Sequence, residues 1–181
     1  MRDFANNYLI YKLFLWKSQF LDKSLESVSF TRVELMKLIF FVSAVKNEMA
    51  SSGDLLDMFN EFYAMALGPV EMSIYRDMLD GLIPCCQAID ERRIIMKEGY
   101  QFELPDIEEN QMVTDAIDRS IDRLKEINPK IIGYTAARLV DISHLWRCWI
   151  VAMSIAKLLG KSSYKMNPQS IRNSNQFFGY E

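Results

Sequence analysis

The chain has few of the residues that reaction chemistry is usually built from. Among 181 residues there is one histidine, His144, and three cysteines, Cys85, Cys86 and Cys148. One imidazole and three thiols at these spacings do not make the usual zinc sets. With two of the thiols adjacent there is no disulfide framework, so a reducing compartment is the default expectation. The seven glycines are scattered, and neither a Walker loop nor a dinucleotide fingerprint occurs. No cofactor and no metal is therefore expected. Long apolar runs are missing as well. Lys12 and Lys17 interrupt residues 8–20, and the run 145–159 includes Arg147 and Lys157. Both fall short of the roughly 20 apolar residues a membrane span needs. Asp3 and Asn6-Asn7 stand where a secretory signal would place its apolar stretch. The expectation is a cytoplasmic protein with no membrane partner.

What is present is apolar bulk. Half of the residues are hydrophobic, with 11 Met and 11 Phe, enough for a sizeable core in one domain spanning 1–181. The net charge of −3 is unevenly spread: residues 51–127 carry 17 acidic and seven basic side chains, residues 128–181 two acidic and seven basic. The basic residues Arg138, Arg147, Lys157, Lys161, Lys165 and Arg172 lie on three elements and are not bunched. No helix-turn-helix signature accompanies them, so nucleic acid is not the expected partner.

The pattern predicts a mainly α fold, a compact helical domain with a central buried helix and a small β-hairpin. A first helix is expected over 4–20. The second begins at Thr31, where Thr31 and Glu34 make a capping box and Phe30 and Leu35 a hydrophobic staple. Its body, 33–45, is apolar except for Lys37, which predicts the centre of a core, and Ser51-Ser52-Gly53 ends it. Residues 55–66 read equally as helix or extended chain. Pro69 suits a first helical turn, so a helix is expected over 70–79. Ile94-Ile95-Met96, a turn at 97–99, and alternating Tyr100, Phe102 and Leu104 predict a hairpin. A surface helix with the stripe Val113, Ile117, Ile121 and Leu124 follows, capped by Asp106 with Glu109 at its third position, and Asn128-Pro129 stops it. Helices over 135–142 and 145–159 come next. Asn167-Pro168 starts another, within a C-terminal extension (160–181) whose polar tail after Ile171 is expected to fray.

Candidate chemistry is thin. Asp141 lies three residues before His144, on the same helix face, and could orient the ring as a general base. No nucleophile motif accompanies the pair, so a packing or capping histidine is the expectation and no catalytic residue is assigned. The carboxylate rows Asp54/Asp57 and Asp115/Asp118/Asp122 have the spacing of solvated helices, and Cys85-Cys86 that of a partly buried turn. Trp146, Trp149 and Met153 share a helix and read as core, or as an apolar groove for a partner.

Four motifs in order carry a resemblance. They are Leu35-x-Lys37-Leu38-x-Phe40, then Gly68-Pro69-Val70 after Phe62 and Ala64, then Tyr75-Arg76, then Ser143-His144 with Trp149 beyond. As a set, covering about residues 6–160, they resemble the Panacea domain family, the SocA-like antitoxins, with Leu67 standing where the family carries Tyr. The resemblance implies a phage-associated antitoxin that neutralises a co-encoded toxin by direct binding, also as a proteolytic adaptor handing it to a bacterial ATP-dependent protease. It implies protein partners, no enzymatic activity, and mostly structural roles for the motif residues; the oligomeric state stays open. The alternative is a DNA-binding transcriptional regulator of a small operon, and the third reading a hydrolase using Asp141 and His144.

Overall fold

In the computed structural model, which describes residues 2–46, 54–103 and 108–179, the apolar run after Thr31 is a helix packed on all sides. Helices α1 (Arg2–Leu21) and α2 (Arg32–Ala44) come first in the core. The capping box is formed: Glu34 N donates to Thr31 Oγ1 at 3.1 Å and Thr31 N to Glu34 Oε2 at 2.8 Å. Every residue of α2 from Leu35 to Ala44 is buried, Lys37 included. A helix so enclosed draws its stability from tertiary packing rather than from an amphipathic stripe. Phe40 packs edge-on and Phe41 tilted against Trp146, and Phe41 and Trp146 both pack edge-on against Phe178.

The mainly α expectation is corrected here. Eight helices and two three-stranded antiparallel sheets share the described residues, a mixed α/β fold. The first sheet joins β1 (Ser29–Thr31), β5 (Arg93–Met96) and β4 (Cys86–Ala88) in the order β1-β5-β4. The predicted hairpin strand 94–96 exists, but it pairs with Ser29–Thr31 on one side and Cys86–Ala88 on the other, not with the described residues 100–103. The alternation of Tyr100 and Phe102 has a different cause. These rings pack onto α1, Phe102 against Phe4, Tyr8 and Tyr11, and the Tyr100 hydroxyl accepts a bond from Asn7 Nδ2.

The ambiguous stretch 55–66 contains both alternatives: α3 (Leu55–Met58), then β2 (Phe62–Met65). The helix expected from Val70 starts later, as α4 (Met72–Leu79), because Gly68–Glu71 is strand β3. Strand β3 pairs with β2, Ala64 opposite Pro69, and β2 pairs with β6 (Tyr164–Lys165). Proline has no N–H for a ladder and is admitted at a sheet edge with its nitrogen turned outward. The order β3-β2-β6 puts β3 at such an edge.

The remaining helices follow the sequence more closely. Helix α5 (Glu108–Ile127) buries Val113, Ile117, Ile121 and Leu124. The caps predicted at Asp106 and Glu109, the helix end at Ser51-Ser52-Gly53 and the hairpin's Leu104 fall outside the described residues or side chains. Helix α6 (Ala136–His144) is capped by Thr135, and α7 (Arg147–Leu158) leaves it at 84°. Asn167 caps α8 (Pro168–Arg172) with proline in the first turn. Beyond it Phe178 and Ser174 are buried, and Trp146 Nε1 donates to the Phe177 carbonyl at 2.9 Å. Among the described residues no single helix is long and apolar enough to cross a membrane.

Leu38 is fully enclosed in α2. Leu38→Asp would bury an unpaired charge and is expected to lower unfolding stability by about 3–5 kcal/mol, measured by urea denaturation.

Candidate functional site

Motif residues from α2, β3 and α6, dispersed over more than a hundred positions, meet around one ammonium. Lys37 enters from α2 with 1% of its surface exposed, and its Nζ donates to the Pro69 carbonyl at 2.5 Å. The edge geometry of β3 explains the acceptor. The pleat that turns the Pro69 nitrogen away from β2 also turns its carbonyl away, and Lys37 caps it. No carboxylate pairs with Lys37 among the described residues. Burial therefore lowers the ammonium from its usual 10.5 to about 7.

Gly68 makes the approach of Lys37 feasible. Its φ is +94°, and a Cβ there would sit 2.3 Å from Ser143 Oγ and 2.8 Å from Lys37 Cε. Both the backbone conformation and the contact require glycine. Ser143 is buried on α6, its hydroxyl donating to the Val140 carbonyl at 2.8 Å. Next to it, His144 stacks flat on Trp149, with ring centroids 3.7 Å apart and planes 11° from parallel. Trp149 Nε1 donates to the Met65 carbonyl at the end of β2. His144 is held below its usual pKa, first by burial and then by the nearby Lys37. Asp141 and the Ala66 carbonyl act in the opposite direction.

The candidate pair Asp141 and His144 makes no mutual hydrogen bond, and His144 packs on Trp149. Asp141 is exposed, and the enclosed His144 Nε2 has no partner among the described residues. Leu35, Leu38 and Phe40 sit in the core beside this node, Val70 is buried on β3, and Tyr75 is half-buried on α4. Arg76 is exposed on α4, outside the cluster. The other candidates separate. Asp54 and Asp57 receive Arg172, with the Asp54 contacts at 2.6 Å, and these bonds raise the guanidinium's pKa. Asp118 takes the Tyr8 hydroxyl at 2.9 Å. Cys85 and Cys86 are buried, and the Cys85 thiol is pushed up by its bond to Cys86 and by burial. Among the described residues no group of three or more His, Cys, Asp or Glu side chains could hold a metal ion.

A second polar node went unread in the sequence. Glu71 is fully buried and caps α4, accepting from Ile74 N, Ser73 Oγ, Glu61 N and Arg2. Placing the helix start at Val70 hid it; the signal was a carboxylate three residues before Ile74, the spacing of an N-cap.

A groove of about 590 Å³ opens beside Lys37, between the first turn of α2, the β2–β3 turn and the β4–β5 turn. A second, of about 400 Å³, lies between α7, β6 and α8. No protein-family model, no curated protein and no solved structure matches this chain.

Gly68→Ala forces a Cβ into Ser143 and Lys37 at an unfavourable φ, and should cost about 2–5 kcal/mol in chemical denaturation. Lys37 gives a pH signature. Its folded pKa lies below its unfolded one, so the unfolded chain holds the extra proton, and stability rises with pH between the two values. From about pH 7 to 8.5 the parent should gain up to about 1.4 kcal/mol per unit relative to Lys37→Met. Above that window the buried Cys85 and Cys148 thiols, both pushed up, lower the stability of parent and variant alike, so the difference between the two isolates Lys37. Parallel stability profiles for parent and variant would show that Lys37 stays charged in the fold.

Proposed function

We propose that this chain is an antitoxin-like protein-binding module of the Panacea kind, neutralising a co-encoded toxin by direct contact and performing no chemical step of its own. The observation that carries the reading is the outward face of α7. Ile150 and Val151 are 46% and 49% exposed, and Leu158 is 86% exposed. Ile155 is half-buried between them and Leu159, the helix's C-cap, is exposed. Such a set of apolar side chains on one helix face, with the exposed Ser154 between Ile150 and Leu158, is what a partner's surface covers. The residues expected to offer a groove, Trp146, Trp149 and Met153, face the other way: Trp146 is fully buried and the other two pack against the core.

The motif node supports the same reading. Lys37, Gly68, Pro69, Ser143 and Trp149 join elements and expose little, as a scaffold does when neighbouring surfaces do the binding. Surface charge adds steering. On α5 the exposed Asp122 and Glu126 pair with Lys125 and Arg123 of the same helix, whereas Arg147, Lys157, Lys161 and Lys165 are exposed on and beside α7, a basic rim suited to orienting a partner with acidic groups. Held toxin is then sequestered or passed to a bacterial ATP-dependent protease. The regulator reading is weakened because Arg172 is engaged by two aspartates and Arg138 lies over the Tyr134 ring. The hydrolase reading is weakened because His144 is stacked on Trp149 and makes no hydrogen bond to Asp141.

Co-expression with the product of the adjacent gene should give a stable complex and restore growth. Ile150→Glu combined with Leu158→Glu should abolish both without changing the melting temperature, while Met112→Glu on α5 should leave them intact. Tight duplex DNA binding at physiological salt, with no complex formed, would favour the regulator.

A further inference from the structure

We propose that the groove over Lys37 is a binding site for a small apolar carboxylate. Its volume of about 590 Å³ lies within the range of small-molecule sites. Its walls are chiefly apolar, with Met36, Met65, Val70 and Tyr75 along them and Leu67 exposed at the lip. This lining suits an aliphatic or aryl body.

The charged groups select the head. Lys37 is in the wall, and Arg32 and Arg92 are at the mouth; Glu91, exposed, is the one acidic side chain among the described lining residues. Lys37 gives one N–H to Pro69, and an ammonium has three. Neither Lys37 nor Arg92 is paired with a carboxylate among the described residues. A desolvated cation without a counter-charge gains more from an arriving anion than a surface cation does. The first turn of α2 also lines the groove, adding the partial positive charge of a helix start. An extended peptide is the less suited occupant. Strand addition needs an open sheet edge, and here the outward Pro69 carbonyl of β3 is already taken by Lys37.

The test uses the full chain with methyl-labelled methionine, because Met36 and Met65 flank the site. Titration with phenylbutyrate should shift both methyl signals saturably, and phenylbutanol should bind about tenfold more weakly. Arg92→Glu, at an exposed position, should weaken phenylbutyrate binding by about threefold or more without altering the melting temperature. Lys37→Met, where it folds, should remove the preference for acid over alcohol. The inference fails if the two methyl signals do not move, if the alcohol binds as tightly as the acid, or if Arg92→Glu has no effect. It also fails if an acidic, apolar peptide moves these methyls when phenylbutyrate does not, which would make the groove a protein-docking channel.

Discussion

Lys37 carries an ammonium into the buried run Leu35–Ala44 of α2, otherwise made of apolar side chains and one serine, and the placement of β3 against α2 depends on where that ammonium goes. It goes to a carbonyl that only a sheet edge leaves available, and that carbonyl belongs to a proline, which could not have occupied the centre of a sheet. The contact also needs a residue without a side chain next to the proline, because Ser143 and the lysine stem fill the space. Three elements are thus fixed by one polar bond and one missing methyl group. Removing the bond leaves a buried acceptor unsatisfied, which costs more than the net gain from forming it.

Glu71 works on the opposite end of the same strand by a different route. Its carboxylate is fully enclosed but accepts four hydrogen bonds, one from Arg2 at 2.8 Å. Strand β3 is therefore tied at Pro69 to the central helix and at Glu71 to α1 and α4. Pro69, the single neutral acceptor of an enclosed cation, and Glu71, an enclosed anion with several donors, lie two residues apart on one short strand. The anion is satisfied within the chain; the cation retains unused donors.

The helices were legible because their signals are local. Thr31 and Glu34, Thr135, and Asn167 with Pro168 each mark a helix start within a few residues, and the stripe on α5 repeats at helical spacing. Apart from β5, read at Ile94–Met96, the strands were not legible because each is two to four residues long, shorter than the window in which alternation can be seen. Their partners are also distant: Phe30 pairs with Ile94, and Ala64 with Tyr164. Lys37 was visible as a lone polar residue in an apolar run, but its acceptor lies 32 positions on. The α7 face was hidden for another reason. That helix is apolar nearly all round, so its sequence does not say which side turns outward.

The pairing of β2 with β6 also has a consequence in time. About 100 residues separate the two strands, and at ribosomal speed that interval lasts roughly 5–20 s. Through it the hairpin at 62–71 has one side of its ladder unpaired, and Phe41 and Trp146 lack Phe178, which follows later still. A nascent chain therefore presents an apolar helix and an open strand to solvent and chaperones well before the residues that cover them exist. Codon choice and chaperone supply along 72–163 would then govern how much of the product reaches the folded state.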